Sequence, residues 1–126
     1  MVAYSFKRQF AEPILAGTKR QTIRADRKRH ARPGEELQLY TGMRTKHCRL
    51  IGKAHCLAIQ TVALLFWGRQ GIIIDGVSHV SPAVLDGFAR DDGFADWDQM
   101  RAFWFDVNQV VDEFHGVLIR WGGLHV

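Results

Sequence analysis

The chain has 126 residues and 47% apolar content, with eight Phe and four Trp, enough for one domain with its own core and no need of a metal or disulfide staple. No window approaches the roughly 20 apolar residues that span a bilayer, and Met1 to Phe10 carries Lys7 and Arg8 without an apolar signal region. The net charge of +4 is strongly polarised: residues 1–53 hold thirteen Lys/Arg against four Asp/Glu, a net of +9, whereas residues 54–126 hold four against nine, a net of −5.

These bounds lead us to expect a soluble, cytoplasmic protein occupying residues 1–126 as a single unit, with a basic surface built from its first half. Such a surface suits phosphates or other anions.

Ala3 to Phe6 reads as a short opening strand. Phe10, Ile14 and Leu15 then fall at helical spacing, with Pro13 tolerable only in a first turn, and Gly17 stops the helix. Gln21 to Arg24 is a strand whose alternation puts Thr22 and Arg24 on one face. The next loop, Ala25 to Pro33, holds Arg27, Lys28, Arg29, His30 and Arg32 against one acid, Asp26. So dense a run of like charge has little reason to pack, and we expect it to be mobile unless a polyanion neutralises it.

Pro33-Gly34 turns the chain into a strand over Glu36 to Tyr40, and Thr41-Gly42 marks another turn. Lys46 to Leu57 alternates clearly, with Cys48, Leu50, Gly52, Ala54 and Cys56 on one face and His47, Arg49, Ile51, Lys53 and His55 on the other. The His47-Cys48 and His55-Cys56 dyads resemble paired metal ligands. Eight residues of strand separate them by roughly 26 Å, so we assign no metal site. The apolar run through Phe66-Trp67 continues the sheet or starts a helix.

Ile72 to Ile74, Asp75-Gly76 and Val77 to Val80 form the pattern of a hairpin. Ser81-Pro82 starts a helix to Arg90, with Ser81 as its N-cap, and Asp91-Asp92-Gly93 ends it. Asp96 and Gln99 make a capping pair for a further helix, with Met100, Phe103, Trp104 and Val107 as its core stripe. Gly116 to Trp121 is a closing strand. Five to seven short strands with one early and two late helices favour an α+β fold, a small mixed β-barrel or strongly curved sheet with flanking helices.

The pattern Gly17-x-Lys19-x-x-Thr22-Ile23-Arg24, then Pro33-Gly34-Glu35, Leu39-Tyr40, Gly42-x-Arg44-Thr45, Asp92-Gly93-Phe94 and Phe114-x-Gly116-x-x-Ile119-x-Trp121, resembles the ASCH domain of the PUA-like superfamily. The resemblance covers almost the whole chain. It implies a PUA-like barrel with a cleft lined by the Lys-Thr-Arg stretch, and RNA or a nucleotide or nucleoside as partner. It also implies, for one group of ASCH proteins, amide hydrolysis of acetylcytidine by a Lys, a Thr and a Glu. Carried over, the Lys and Thr are Lys19 and Thr22. The acid falls at Asp92, or equally at Asp91, one methylene shorter than Glu.

The residues support such chemistry on their own terms. A threonine hydroxyl needs a base to attack, a lysine serves only if its pKa falls, and neighbouring cations or burial lower it. No cofactor is called for. Arg24, Arg44, Arg49 and Lys53 would contact phosphates, and Tyr40 or Trp67 could stack on a base. From the sequence we expect an RNA- or ribonucleotide-binding domain with a basic cleft around Lys19, Thr22 and Arg24. The alternatives are a metal-independent amidohydrolase of a modified nucleoside, with Lys19, Thr22 and Asp92 as its trio, or a ribonuclease using the same cleft.

Overall fold

A computed structural model of the chain describes residues 1–125. Seven strands form one mixed sheet: β1 (Val2–Phe6), β2 (Gln21–Arg24), β3 (Glu36–Thr41), β4 (Arg49–Leu65), β5 (Gly71–Ile74), β6 (Val77–His79) and β7 (Glu113–Trp121). Helix α1 (Ala11–Ala16) follows a short 3-10 turn, and α2 (Pro82–Asp91) and α3 (Trp97–Asn108) lie between β6 and β7.

The sheet is organised by β4, whose 17 residues pair first with β3 and then with β5 and β7. The pairing skips Ile51 against β3 and Leu57 against β7, and such bulges bend a strand. β1 lies parallel to β3, and β2 pairs with β7. The path therefore runs β2, β7, β4, β3, β1, with the β5–β6 hairpin added beside the far end of β4.

The barrel expected from the sequence is not closed. Among the described residues no ladder joins β1 to β2. A single side-chain bond crosses this seam, from Arg24 Nη2 to the Ser5 carbonyl at 2.7 Å. A cavity lies in the open seam, with Ser5 and Phe6 of β1 on one side and Thr22, Ile23 and Arg24 of β2 on the other.

The core is one apolar cluster under the curved sheet. Alternation buries Val2, Tyr4 and Phe6 of β1 and Leu37 and Leu39 of β3. The α3 stripe behaves as its spacing predicts: Met100 and Trp104 are buried and Phe103 packs against the cluster, whereas Val107 is 41% exposed where the stripe reaches the helix end. Phe66 meets Trp97 at 5.1 Å between ring centroids, which ties the end of β4 to α3.

Most local punctuation matches its residue chemistry. Asp75 and Gly76 both take positive φ, 49° and 82°, as a tight hairpin turn demands. Asp96 Oδ1 accepts the Gln99 N–H at 2.8 Å, and Gln99 Oε1 reaches back to the N–H of Ala95, one residue before the cap. Ser81 makes no side-chain cap, and its carbonyl instead accepts the Leu85 N–H.

β4 begins at Arg49 rather than Lys46, because Thr45 ties Gly42 to Cys48 into successive turns through its carbonyl, amide and hydroxyl. The apolar run after Val62 continues this strand to Leu65. The basic loop after β2 is also pinned. Arg29 pairs with Glu35, the Arg27 guanidinium lies 4.7 Å from the Tyr4 ring centroid, and His30 bonds the Tyr4 hydroxyl.

Candidate functional site

The site begins where α1 stops. Gly17 adopts φ 81°, a left-handed value that costs glycine little, and the amides of Gly17, Thr18 and Lys19 fold back onto the Ile14 and Pro13 carbonyls. This tight ending launches Lys19 inward, and β2 follows at Gln21. Thr22 and Arg24 share a face, as alternation requires, and Arg24 Nε donates to Thr22 Oγ1 at 3.0 Å.

The opposing wall comes from the end of α2. Asp92 caps that helix, with its N–H bonded to the Phe88 and Ala89 carbonyls, and Gly93 at φ 99° turns the chain away. The helix phase thus separates two neighbouring acids. Asp92 is 5% exposed and lines the cavity, whereas Asp91 is exposed and faces a different recess.

Lys19 Nζ donates to the Asp92 backbone carbonyl at 2.6 Å and lies 3.7 Å from Asp92 Oδ1. A lysine placed on the last carbonyl of a helix also complements the negative end of its dipole. Gln21 Nε2 donates to the same Oδ1 at 3.2 Å. The Lys19 ammonium position is 4.8 Å from the Phe10 ring centroid and 5.7 Å from that of Phe6.

Burial governs the charges. It pulls the Lys19 pKa below its ordinary value and pushes that of Asp92 above its own, because each charged form loses water. The attraction between the two opposes both shifts, and the cation of Arg24 lowers Lys19 further. Arg24 is itself lowered, first by burial.

These groups border a cavity of about 370 Å³ in the β1–β2 seam. Phe10, Phe94 and Phe103 form its apolar wall, with ring centroids 5.1 to 5.5 Å apart. The volume falls within the range of small-molecule sites, and a mostly apolar lining with a few convergent polar groups is their usual composition.

Lys19, Thr22, Arg24 and Asp92 therefore meet at one cavity. Tyr40, Arg44, Arg49 and Lys53 do not border it: they lie on β3, on β4 and in the turn between them, with Arg44 and Arg49 exposed and the Tyr40 hydroxyl donating to Gln38 Oε1. Trp67 is 71% exposed in the turn after β4 and borders none of the recesses at this seam. Sequence reasoning missed Gln21, although its position two residues after Lys19 on the same strand approach was available. Among the described residues no three His, Cys, Asp or Glu side chains gather at a point, and Cys48 is exposed while Cys56 is buried.

No protein-family model and no curated protein matches the sequence. Two solved structures do match the fold, both crystal structures of variants of ZmASCH from Zymomonas mobilis. The first superposes with a TM-score of 0.52 at 18% identity, covering 95% of this chain and 66% of that one. The second gives 0.51 at 17% identity, covering 94% and 66%. This chain thus spans just under two thirds of the length of the ZmASCH chains. Among the described residues no helix is long and apolar enough to cross a membrane. These superpositions show that the chain shares the fold of the ZmASCH structures.

Proposed function

We propose that the seam cavity is the active site of a hydrolase that cleaves an amide on a modified nucleoside such as acetylcytidine. One observation carries this reading: Lys19, Thr22 and an acid border the same cavity, with Asp92 Oδ1 3.7 Å from Lys19 Nζ. The shorter side chain of Asp92 reaches Lys19 because the acid sits at the buried end of α2.

Each group has a role that its surroundings favour. Lys19, depressed by burial and by Arg24, in its neutral form accepts the Thr22 hydroxyl proton. Arg24 donates to Thr22 Oγ1, which fixes the oxygen, directs the hydroxyl proton elsewhere and stabilises developing negative charge. The oxygen attacks the acyl carbon, and the C–N bond breaks as Asp92, whose protonated form burial favours, delivers its proton to the departing nitrogen. Water then hydrolyses the acyl ester on Thr22: its hydroxyl leaves with the acyl group as the acid, its other proton restores the Thr22 hydroxyl, and the proton taken up by Lys19 returns Asp92 to its acid form. The aromatic wall excludes bulk water and offers faces to a base.

The test is incubation of folded protein with acetylcytidine while free cytidine is followed by chromatography. Release is expected from the native chain and is lost in Lys19→Ala and Thr22→Val. Folded native protein that releases no cytidine overturns the reading.

A second reading, RNA binding at the same face, is favoured by the exposed cations Arg27, Lys28, Arg29 and Arg32, which follow directly on Ala25 at the cavity rim. It predicts affinity for short single-stranded RNA that falls with salt, with a smaller slope once Arg27 and Lys28 are neutralised. Cleavage of that RNA by native protein, lost in Lys19→Ala, would make the same cavity a ribonuclease site.

A further inference from the structure

The seam cavity has a neighbour at the end of β1. A second recess of about 510 Å³ borders the same Ser5, Phe6 and Lys7 and extends to Arg8, Thr41, Gly42 and His47. We infer that this recess is a phosphate subsite, so that the ligand of the seam is a nucleotide rather than a free nucleoside. The inference rests on the proposed nucleoside-binding role of the first cavity and names what lies attached to that nucleoside.

Charge is the first argument. Lys7, Arg8 and His47 all line the recess, and no Asp or Glu does. All three are exposed, and among the described residues neither Lys7 nor Arg8 makes an ion pair or a side-chain hydrogen bond. Arg44, Lys46 and Arg49 follow in the adjoining turn and strand without an intervening acid. The protein has enough carboxylates to pair such cations, yet it directs them elsewhere: the recess beside α2 and the β5–β6 hairpin holds Asp75 and Asp91 beside Arg120. A lysine offers a point charge and an arginine a planar fork, the two devices that hold phosphate.

Geometry is the second. The two recesses share Ser5, Phe6 and Lys7 at the end of β1, so a ligand spanning both would pass these residues. The far wall is rigid. The Gly42–Cys48 turns are held by the Thr45 bonds, Met43 N–H is fixed on Ser5 Oγ, and a Cβ on Gly42 would stand 2.9 Å from the His47 carbonyl. A base against the Phe10, Phe94 and Phe103 wall and a phosphate near Lys7 and Arg8 would use both recesses together.

Calorimetry tests this with cytidine, cytidine 5′-monophosphate, cytidine 3′-monophosphate and a cytidine dinucleotide, against native protein and Lys7→Gln/Arg8→Gln. Both replaced side chains are exposed, so the fold is retained and circular dichroism confirms it. At least one phosphorylated ligand is expected to bind native protein on the order of tenfold more tightly than cytidine, about 1.4 kcal/mol, with the preference lost in the double variant. A preference confined to a monophosphate identifies a mononucleotide, and one shared by the dinucleotide identifies an RNA end; both uphold the subsite. Equal affinity for cytidine and every phosphorylated ligand, or a preference that survives the double variant, overturns it. Preferential phosphate-ligand binding by protein that releases no cytidine from acetylcytidine upholds the subsite and overturns only the hydrolase reading.

Discussion

Lys19 Nζ donates to the backbone carbonyl of Asp92 at 2.6 Å, across 73 residues of chain, while the Asp92 carboxylate lies 3.7 Å from the same nitrogen. One side chain thus closes the end of α2 and sits beside the cavity's only lining acid. Structure and chemistry share this nitrogen, and substitutions must separate the two.

Lys19→Met should destabilise the fold by about 1–3 kcal/mol, the usual cost of leaving a buried acceptor, here the Asp92 carbonyl, without its donor. The Lys19 and Asp92 side chains are only 3% and 7% exposed, so solvent offers little relief. Lys19→Met combined with Asp92→Leu should cost less than the sum of the two single losses, because the 3.7 Å contact between the side chains is counted in both. Urea unfolding of the single and double variants measures the coupling; strictly additive losses would show that the two groups do not interact.

Two carboxylates should give opposite responses to pH. Asp92 is raised above its unfolded value, so its contribution to stability is full below about pH 4 and is lost as pH rises through its folded pKa. Glu35 is lowered to about 2 by the N-terminal ammonium, the Arg32 N–H and Arg29, so its contribution is present above its unfolded value of 4.5 and lost as pH falls toward 2. Stability curves for Asp92→Asn and Glu35→Gln should each lack one of these limbs. A Glu35→Gln curve that parallels the native one between pH 5 and 2 would contradict the assignment.

Gln21 should set the titration of Asp92. Its amide donates to Oδ1, which favours the carboxylate and leaves the acid proton to Oδ2. Gln21→Leu removes the donor and should move the Asp92 pKa still higher, read directly by carbon NMR of the carboxyl group. If the hydrolase reading holds, the alkaline limb of the pH–rate profile moves with it. An unmoved Asp92 titration would reduce Gln21 to a packing residue.

Gly93→Ala should damage the site without touching a polar group. Gly93 has φ 99°, and a Cβ there would stand 3.0 Å from both Lys19 Cδ and Phe10 Cδ1. Backbone strain and crowding together should cost roughly 1–3 kcal/mol and push Lys19 off the Asp92 carbonyl. A Gly93→Ala protein with native stability and an unchanged Lys19 titration would contradict this.

What was legible in the sequence was mostly local. Gly17, Asp75-Gly76, Asp96 with Gln99, and the stripe from Met100 to Trp104 each signal their geometry within a few residues, and the structure follows them. The Lys19–Thr22–Arg24 grouping was legible for the same reason, since a turn and a strand period fix it. Whether Asp91 or Asp92 faces Lys19 depends on how α2 is rotated on the sheet, which no local signal reports. The missing closure between β1 and β2 is likewise a matter of long-range pairing. Tyr40, Arg44, Arg49 and Lys53 were grouped by charge and strand alternation, but the cavity lies at the seam between β1 and β2 and they lie beyond it. The Ala25–Pro33 loop was read from its charge alone, and Tyr4 and Glu35, which pin it, belong to other segments.

Among the described residues β2 has a single ladder partner, β7, and the acid facing it arrives on α2. As the chain leaves the ribosome from its N-terminus, Lys19, Thr22 and Arg24 emerge early but have no strand to hold them until residues 113–121 are made. The cavity is therefore among the last features to assemble, and a nascent or truncated chain lacking β7 would present its basic half without it. An assembled seam cavity thus marks a chain whose last strand is in place.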